Sequence, residues 1–142
     1  MPGTGKRLLI VEDQDVMAMT IAAVVRRLNY NLVGSAATSE RAIELAVTCQ
    51  PDVVLMDLGL KGSRDGVETA RVIMARSAAR IVFLTGSADS DAMERMQSVD
   101  PAGIVLKPFR RTELATKLAA AANATPVMPA GWSAPVVGEL QA

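Results

Sequence analysis

Three carboxylates, a hydroxyl and an amine stand where short apolar runs of this chain end. Leu8-Leu9-Ile10-Val11 runs into Glu12-Asp13, and Val53-Val54-Leu55-Met56 runs into Asp57. Ile81-Val82-Phe83-Leu84 runs into Thr85, and Gly103-Ile104-Val105-Leu106 into Lys107. Brought to one place, three carboxylates repel, which raises at least one pKa unless a cation shares them. Oxygen-only ligands favour a hard cation that keeps some of its water, and Mg²⁺ is the physical candidate. Lys107 adds a mobile positive charge and Thr85 a hydroxyl donor. A carboxylate nucleophile, a divalent cation and donors for the equatorial oxygens are the parts that phosphoryl transfer requires. Singly, each residue has a blander explanation. An Asp after an apolar strand is most often a loop or cap residue, Glu12-Asp13 would suit the start of a helix, and a Thr or Lys there is commonly a turn donor or a surface charge. The chemical case rests on their conjunction at one edge of one sheet.

The intervening segments supply the elements that such a conjunction needs. After the first run, Val16, Met17, Thr20, Ile21, Val24, Val25 and Leu28 recur at helical spacing. Asn29-Tyr30-Asn31 breaks the pattern and Leu32-Val33 makes a weaker second strand. Thr38 is placed to cap a helix carrying Ala42, Ile43, Leu45 and Ala46, which Pro51 stops. The third run is apolar without alternation, as in a parallel strand covered on both faces. Asp65 with Glu68 makes a capping-box start for a third helix. A fourth helix spans about Asp89 to Ser98, with Met93 and Met96 inward, and a fifth carries Leu114, Leu118 and Ala121 on one stripe. Alternating strands and helices predict a doubly wound α/β domain, (βα)5 and flavodoxin-like, with a five-stranded parallel sheet in the order 2-1-3-4-5 and helices on both faces. The ligand crevice of such a sheet lies at the carboxyl ends of its strands, where the polar residues collect.

Composition agrees with one small domain. Half of the 142 residues are hydrophobic and only 3% are aromatic, so the core must be aliphatic. Fifteen basic and fifteen acidic residues cancel, leaving no global field for nucleic acid or anionic lipid. There is no histidine and one cysteine, Cys49, which excludes His-based catalysis, a disulfide within the chain and Cys/His zinc. No apolar stretch approaches the roughly 20 residues that span a bilayer, and a cytoplasmic location is expected. Residues 1–6 are expected to form a flexible N-terminus, 7–122 the domain, and 123–142 a disordered Pro/Ala-rich tail in which only Trp132 stands out.

Glu12-Asp13, Asp57, Thr85 and Lys107-Pro108-Phe109, in this order after strands one, three, four and five, resemble the receiver domains of response regulators over about residues 7–122. The resemblance implies a two-component signalling module. In it Asp57 accepts the phosphoryl group of a phosphohistidine on a sensor histidine kinase or histidine phosphotransfer protein. Asp13 binds Mg²⁺ directly, Glu12 helps to hold it through water, and the Gly59 carbonyl is a further ligand. Lys107 pairs with the phosphate, Thr85 bonds it after transfer, and the Lys107–Pro108 bond is cis. Gly59 and Ser87 occupy positions that tune dephosphorylation, and both being small implies an accessible acyl phosphate. Output through changed protein contacts is expected, from a stand-alone monomer or a phosphorylation-dependent homodimer, with no nucleic-acid or membrane partner and slow autodephosphorylation as its only turnover. An aspartyl-phosphate hydrolase would need a second Asp at Gly59.

Two departures from the family pattern leave alternatives open. Ile104 stands where receivers carry Tyr or Phe, so the usual aromatic switch has no ring here. Isoleucine there is either a packing substitution or the mark of an altered output route, and a degenerate receiver used only for docking or dimerisation is the alternative function. The loop from Leu58 to Gly66 is one residue longer than the commonest form, with Gly62 at a frequent proline position.

Overall fold

The computed structural model describes residues 5–60, 64–87 and 89–123. The expected tail beyond residue 123 with Trp132, residues 1–4 of the expected N-terminal segment, and Gly62 of the long loop lie outside the described residues. Strands and helices alternate: β1 (Arg7–Val11), α1 (Asp15–Arg27), β2 (Asn31–Ala36), α2 (Ser39–Cys49), β3 (Val53–Asp57), α3 (Gly66–Arg76), β4 (Arg80–Thr85), α4 (Ser90–Gln97), β5 (Gly103–Leu106) and α5 (Arg111–Asn123). The five strands form one parallel sheet in the order β2-β1-β3-β4-β5. This is the flavodoxin-like order expected from the alternation.

Successive strand side chains point to opposite faces, and here both faces are covered. Leu9, Val11, Val54, Met56, Ile81 and Phe83 pack on one side with residues of α2, α3 and α4. Leu8, Ile10, Val53, Leu55, Val82 and Leu84 pack on the other with α1 and α5. All five residues of β3 are buried, which is why its sequence lacks alternation. Each such aliphatic side chain stabilises the fold by roughly 2 kcal/mol relative to exposure. No helix among the described residues is long and apolar enough to cross a membrane.

The helix starts follow their sequence signals. Thr38 accepts from Arg41 N–H at 3.2 Å. Asp65 accepts from Glu68 N–H at 2.9 Å while the Glu68 carboxylate accepts from Asp65 N–H, closing the capping box. Gln50, ahead of Pro51, ends α2 in the left-handed region. On α4, Met96 is fully buried and Met93 packs against the same cluster. Helix α1 departs from expectation. Ile21 and Val25 are buried, but Val16 is 78% exposed, so the helical stripe faces the core at Ile21 and Val25 and leaves Val16 outside, and Met19 is also 72% exposed. One turn of helix cannot bury residues on opposite sides, and Ile21 fixes which side faces the sheet.

Tyr30, after α1, is buried among the apolar residues below the sheet, and its hydroxyl has no partner among the described residues. Burial raises its pKa above the ordinary phenol value. A buried hydroxyl without a partner costs about 1 kcal/mol or more. Tyr30→Phe is therefore expected to stabilise the fold by about 1 kcal/mol, seen as a rise of about 3 °C in the thermal midpoint. A fall in the midpoint would mean that the hydroxyl has a bonded water.

Candidate functional site

The parallel register delivers the chemistry-bearing residues to one edge. Val11 lies beside Met56, so Glu12 follows at the level of Asp57, while Asp57 lies beside Leu84 and Thr85 beside Leu106. Backbone hydrogen bonds past the strand ends keep the loops in line: Glu12 N–H donates to Ala36 O at 2.9 Å, Leu58 N–H to Leu84 O at 3.0 Å and Lys107 N–H to Thr85 O at 2.8 Å. The Lys107–Pro108 peptide is cis. These constraints set Asp13, Asp57, Gly59, Thr85, Ser87 and Lys107 around a cleft of about 390 Å³.

Charges at the floor of the cleft are paired unevenly. Carboxylate oxygens of Glu12, Asp13 and Asp57 all lie within 4.8 Å of one another. Lys107 Nζ stands 3.3 Å from Glu12 Oε1 and 3.3 Å from Asp57 Oδ1. Gly59 N–H donates to Asp57 Oδ1 at 3.3 Å, and Gln14 N–H to Glu12 Oε2 at 3.2 Å. Among the described residues one ammonium thus faces three carboxylates, two of them buried: Glu12 is 3% exposed and Asp57 8%. A hard divalent cation fits that donor set, because it supplies the missing positive charge and takes oxygen ligands alone.

The Glu12 carboxyl is pushed above its ordinary value, first by burial, and also by the Asp57 carboxylate; the Gln14 N–H and the Lys107 ammonium oppose the rise. Mutual repulsion, the cause anticipated from sequence, is therefore secondary to desolvation. A carboxyl that holds its proton more tightly folded than unfolded gives stability that is full below the unfolded pKa, near the ordinary glutamate value of 4.5, and is lost as pH rises through the folded pKa. The metal-free wild type is expected to lose stability over that interval. Glu12→Gln removes the loss and binds Mg²⁺ more weakly. Denaturation from pH 4 to 8 with chelator, beside Mg²⁺ titration calorimetry, checks both; parallel pH profiles for the two proteins would refute the burial argument.

The loop between β3 and α3 leans on a residue that sequence reasoning passed over. A Cβ on Gly66 would lie 2.6 Å from the Asp57 carbonyl oxygen and 2.9 Å from Leu58 Cα, so the start of α3 touches the backbone of the acidic residue itself. Gly66 N–H donates to Leu58 O at 3.3 Å. A glycine directly after an N-cap Asp was the available signal, since a helix start has no need of glycine. Gly59, by contrast, is exposed and leaves open room beside Asp57 Oδ1.

Thr85 is 2% exposed, and its hydroxyl is engaged by Ser87, accepting from Ser87 N–H and donating to Ser87 O, each at 3.1 Å. Ile104 is half-buried against the core around Phe83. It also lines a second hollow of about 380 Å³ with Met93, Gln97, Leu106 and Lys117, between α4, β5 and α5.

Comparisons with known proteins agree with this geometry. The family model of the response regulator receiver domain matches residues 8–119. The transcriptional regulatory protein PdtaR of Mycobacterium tuberculosis H37Rv is 35% identical over 109 residues, covering 77% of this chain and 53% of PdtaR. The chain thus spans about half the length of that relative. Among solved structures, the receiver domain of a modulated diguanylate cyclase from Desulfovibrio desulfuricans G20 is 34% identical, with a TM-score of 0.75 over 80% of this chain and 90% of that one. The receiver domain of sensor histidine kinase PA1611 from Pseudomonas aeruginosa PAO1 is 29% identical, with a TM-score of 0.76 over 84% of this chain and 99% of that one. That structure holds a magnesium ion in its active-site cleft.

Proposed function

Because the chain belongs to the response regulator receiver domain family, we propose that it accepts a phosphoryl group on Asp57 from a phosphohistidine and signals through changed protein contacts. The observation that carries this proposal is the ammonium of Lys107 set 3.3 Å from both Glu12 and Asp57. The arrangement leaves a carboxylate nucleophile in a cleft short of positive charge. The 142 residues contain no histidine, so a histidine kinase or histidine phosphotransfer protein is the donor.

Glu12, Asp13, Asp57 and the Gly59 carbonyl would hold Mg²⁺, which supplies charge neutralisation to the incoming phosphoryl oxygens. The chain's own residues do the rest. Lys107 and Gly59 both donate to Asp57 Oδ1, which leaves Oδ2 as the attacking oxygen. Oδ2 forms a bond to phosphorus as the P–N bond breaks, and the electron pair departs with the imidazole nitrogen. A carboxylate nucleophile has no proton to lose on attack, unlike a hydroxyl or a thiol, so the step calls for no general base. Lys107 then follows the charge onto the phosphoryl oxygens, and the Thr85 hydroxyl donates to one of them. The exposed Val16 and Met19, in the first two turns of α1 and three and six residues after Asp13, offer the donor protein an apolar ledge. Small residues at Gly59 and Ser87 keep the acyl phosphate open to water. Ile104 favours a second reading, a docking module independent of phosphorylation.

Incubation with acetyl phosphate and Mg²⁺, followed by intact mass measurement and borohydride trapping, separates the two. One phosphoryl adduct located on Asp57 and lost with chelator is expected. No adduct with any divalent ion, or one elsewhere, moves the function to docking alone.

A further inference from the structure

A chain of hydrogen bonds leaves the cleft and ends in the first turn of α4. It starts at the Thr85 hydroxyl, which is bonded in both directions to the Ser87 backbone. The Ser87 hydroxyl donates to Asp89 Oδ2 at 2.7 Å. Asp89 Oδ1 accepts from Ala92 N–H at 2.8 Å and caps the helix. The two oxygens of one carboxylate therefore do two jobs, one on α4 and one on the loop. Both bonds hold the Asp89 carboxyl below the ordinary carboxylate range, so it is ionised at neutral pH.

A threonine hydroxyl has one proton to give. Given to a phosphoryl oxygen on Asp57, it is lost to the Ser87 carbonyl, so two arrangements of Thr85 compete for it. Whatever fixes Ser87 biases that competition. We propose that Asp89 is a positioning residue whose carboxylate, through the Ser87 hydroxyl, latches Thr85 in its unphosphorylated arrangement and links its release to the start of α4. The inference rests on the phosphoacceptor role of Asp57. It gives Thr85 a route to α4 that requires no aromatic ring at Ile104. Since a ligand shifts an equilibrium only by its differential affinity for the two states, opening the latch beforehand must make phosphorylation more favourable.

Asp89→Ser separates the two jobs, because a serine still caps a helix but has no second oxygen for Ser87. Ser87→Ala opens the latch from the other side and leaves the cap alone. In the metal-free protein both changes are expected to speed amide exchange at Ser87 by roughly two- to tenfold, while Ala92 stays protected. With Mg²⁺, beryllofluoride serves as the phosphoryl-like probe. Its affinity is expected to rise by the same roughly two- to tenfold factor in each single variant, with no further gain in the double variant. A wild type that binds no beryllofluoride would refute the role of Asp57. A wild type that binds, with single variants no tighter, or with gains that add in the double, would refute the latch alone. Should Asp89→Ser lose Ala92 protection, Ser87→Ala decides by itself, and unchanged affinity there refutes the latch.

Discussion

Replacing Lys107 with Met should slow phosphorylation of Asp57 by about a hundredfold or more while tightening Mg²⁺ binding to the unphosphorylated protein. The two effects have opposite sign because the ammonium plays opposite parts in the two states. Before transfer, Nζ lies 3.3 Å from Glu12 Oε1 and from Asp57 Oδ1, where it competes with a metal for the same negative charge. In the proposed transfer it would move with the charge onto the phosphoryl oxygens, an interaction that methionine cannot make. Methionine keeps most of the apolar stem, so packing changes little. The metal-free variant leaves Glu12 and Asp57 facing each other without a counter-ion, and a buried charge stripped of its partner costs about 3 kcal/mol, recovered when Mg²⁺ is added. Acetyl phosphate kinetics by intact mass and calorimetric Mg²⁺ titration read the two effects separately. Metal affinity that falls with the phosphorylation rate would show Lys107 to be holding the acidic residues in place, not competing with metal for them.

That ammonium and its carboxylates were legible in the sequence because each ends an apolar run, and parallel strands can end at only one edge. The runs themselves were plain where both faces are covered: β3 and β4 are buried almost throughout. β2 was visible only as Leu32-Val33, yet extends from Asn31 to Ala36. It is an edge strand with a single neighbour, so Gly34 and Ser35 are tolerated there and mask its length. The face of α1 was legible in Ile21 and Val25 but not in Val16, since hydrophobicity alone does not say which apolar residue is left outside.

What the sequence could not carry is pairing. Repulsion among three carboxylates implied a raised pKa on at least one of them without saying which; it is Glu12, and burial at 3% exposure is the first cause, a property of the folded cleft that no local pattern carries. Ser87 was legible only as a position that tunes dephosphorylation and Asp89 only as the start of the fourth helix, because the bond between them exists only once the turn after Thr85 is formed. Arg95 of α4 reaches Asp65 at 2.5 Å, and Arg71 of α3 reaches Ser98 at 2.9 Å, ties across helices that no local pattern announces. The Asp65 carboxyl is lowered although burial opposes this, because Glu68 N–H and Arg95 favour the anion. The stability it adds is present above its unfolded pKa, near the ordinary aspartate value of 3.8, and is lost as pH falls through the folded one.

Gly66→Ala should be more damaging than any exposed substitution in the molecule, and with the opposite sign to what helix propensity predicts. At an unconstrained first helical position the change stabilises by about 0.5 kcal/mol, since alanine loses less chain entropy. Here the new Cβ would sit 2.6 Å from the Asp57 carbonyl oxygen and 3.0 Å from that of Leu58. Both are backbone atoms. They cannot rotate away as a side chain would, and Leu58 is tied by its N–H to Leu84 in the next strand. Relief requires that α3 move off the sheet or that Asp57 move with its loop. The first opens the core at Val67 and Ala70, both buried beside Gly66, and overpacking of this kind costs about 3 kcal/mol, a fall in midpoint on the order of 10 °C. The second displaces the Asp57 carboxylate relative to Lys107, and a shift of about 1 Å in reacting groups costs roughly a hundredfold in rate. Thermal denaturation with chelator and phosphorylation kinetics at a temperature where the variant is folded distinguish the two routes. A variant as stable as wild type and as quickly phosphorylated would mean that α3 and Asp57 are not in contact through Gly66.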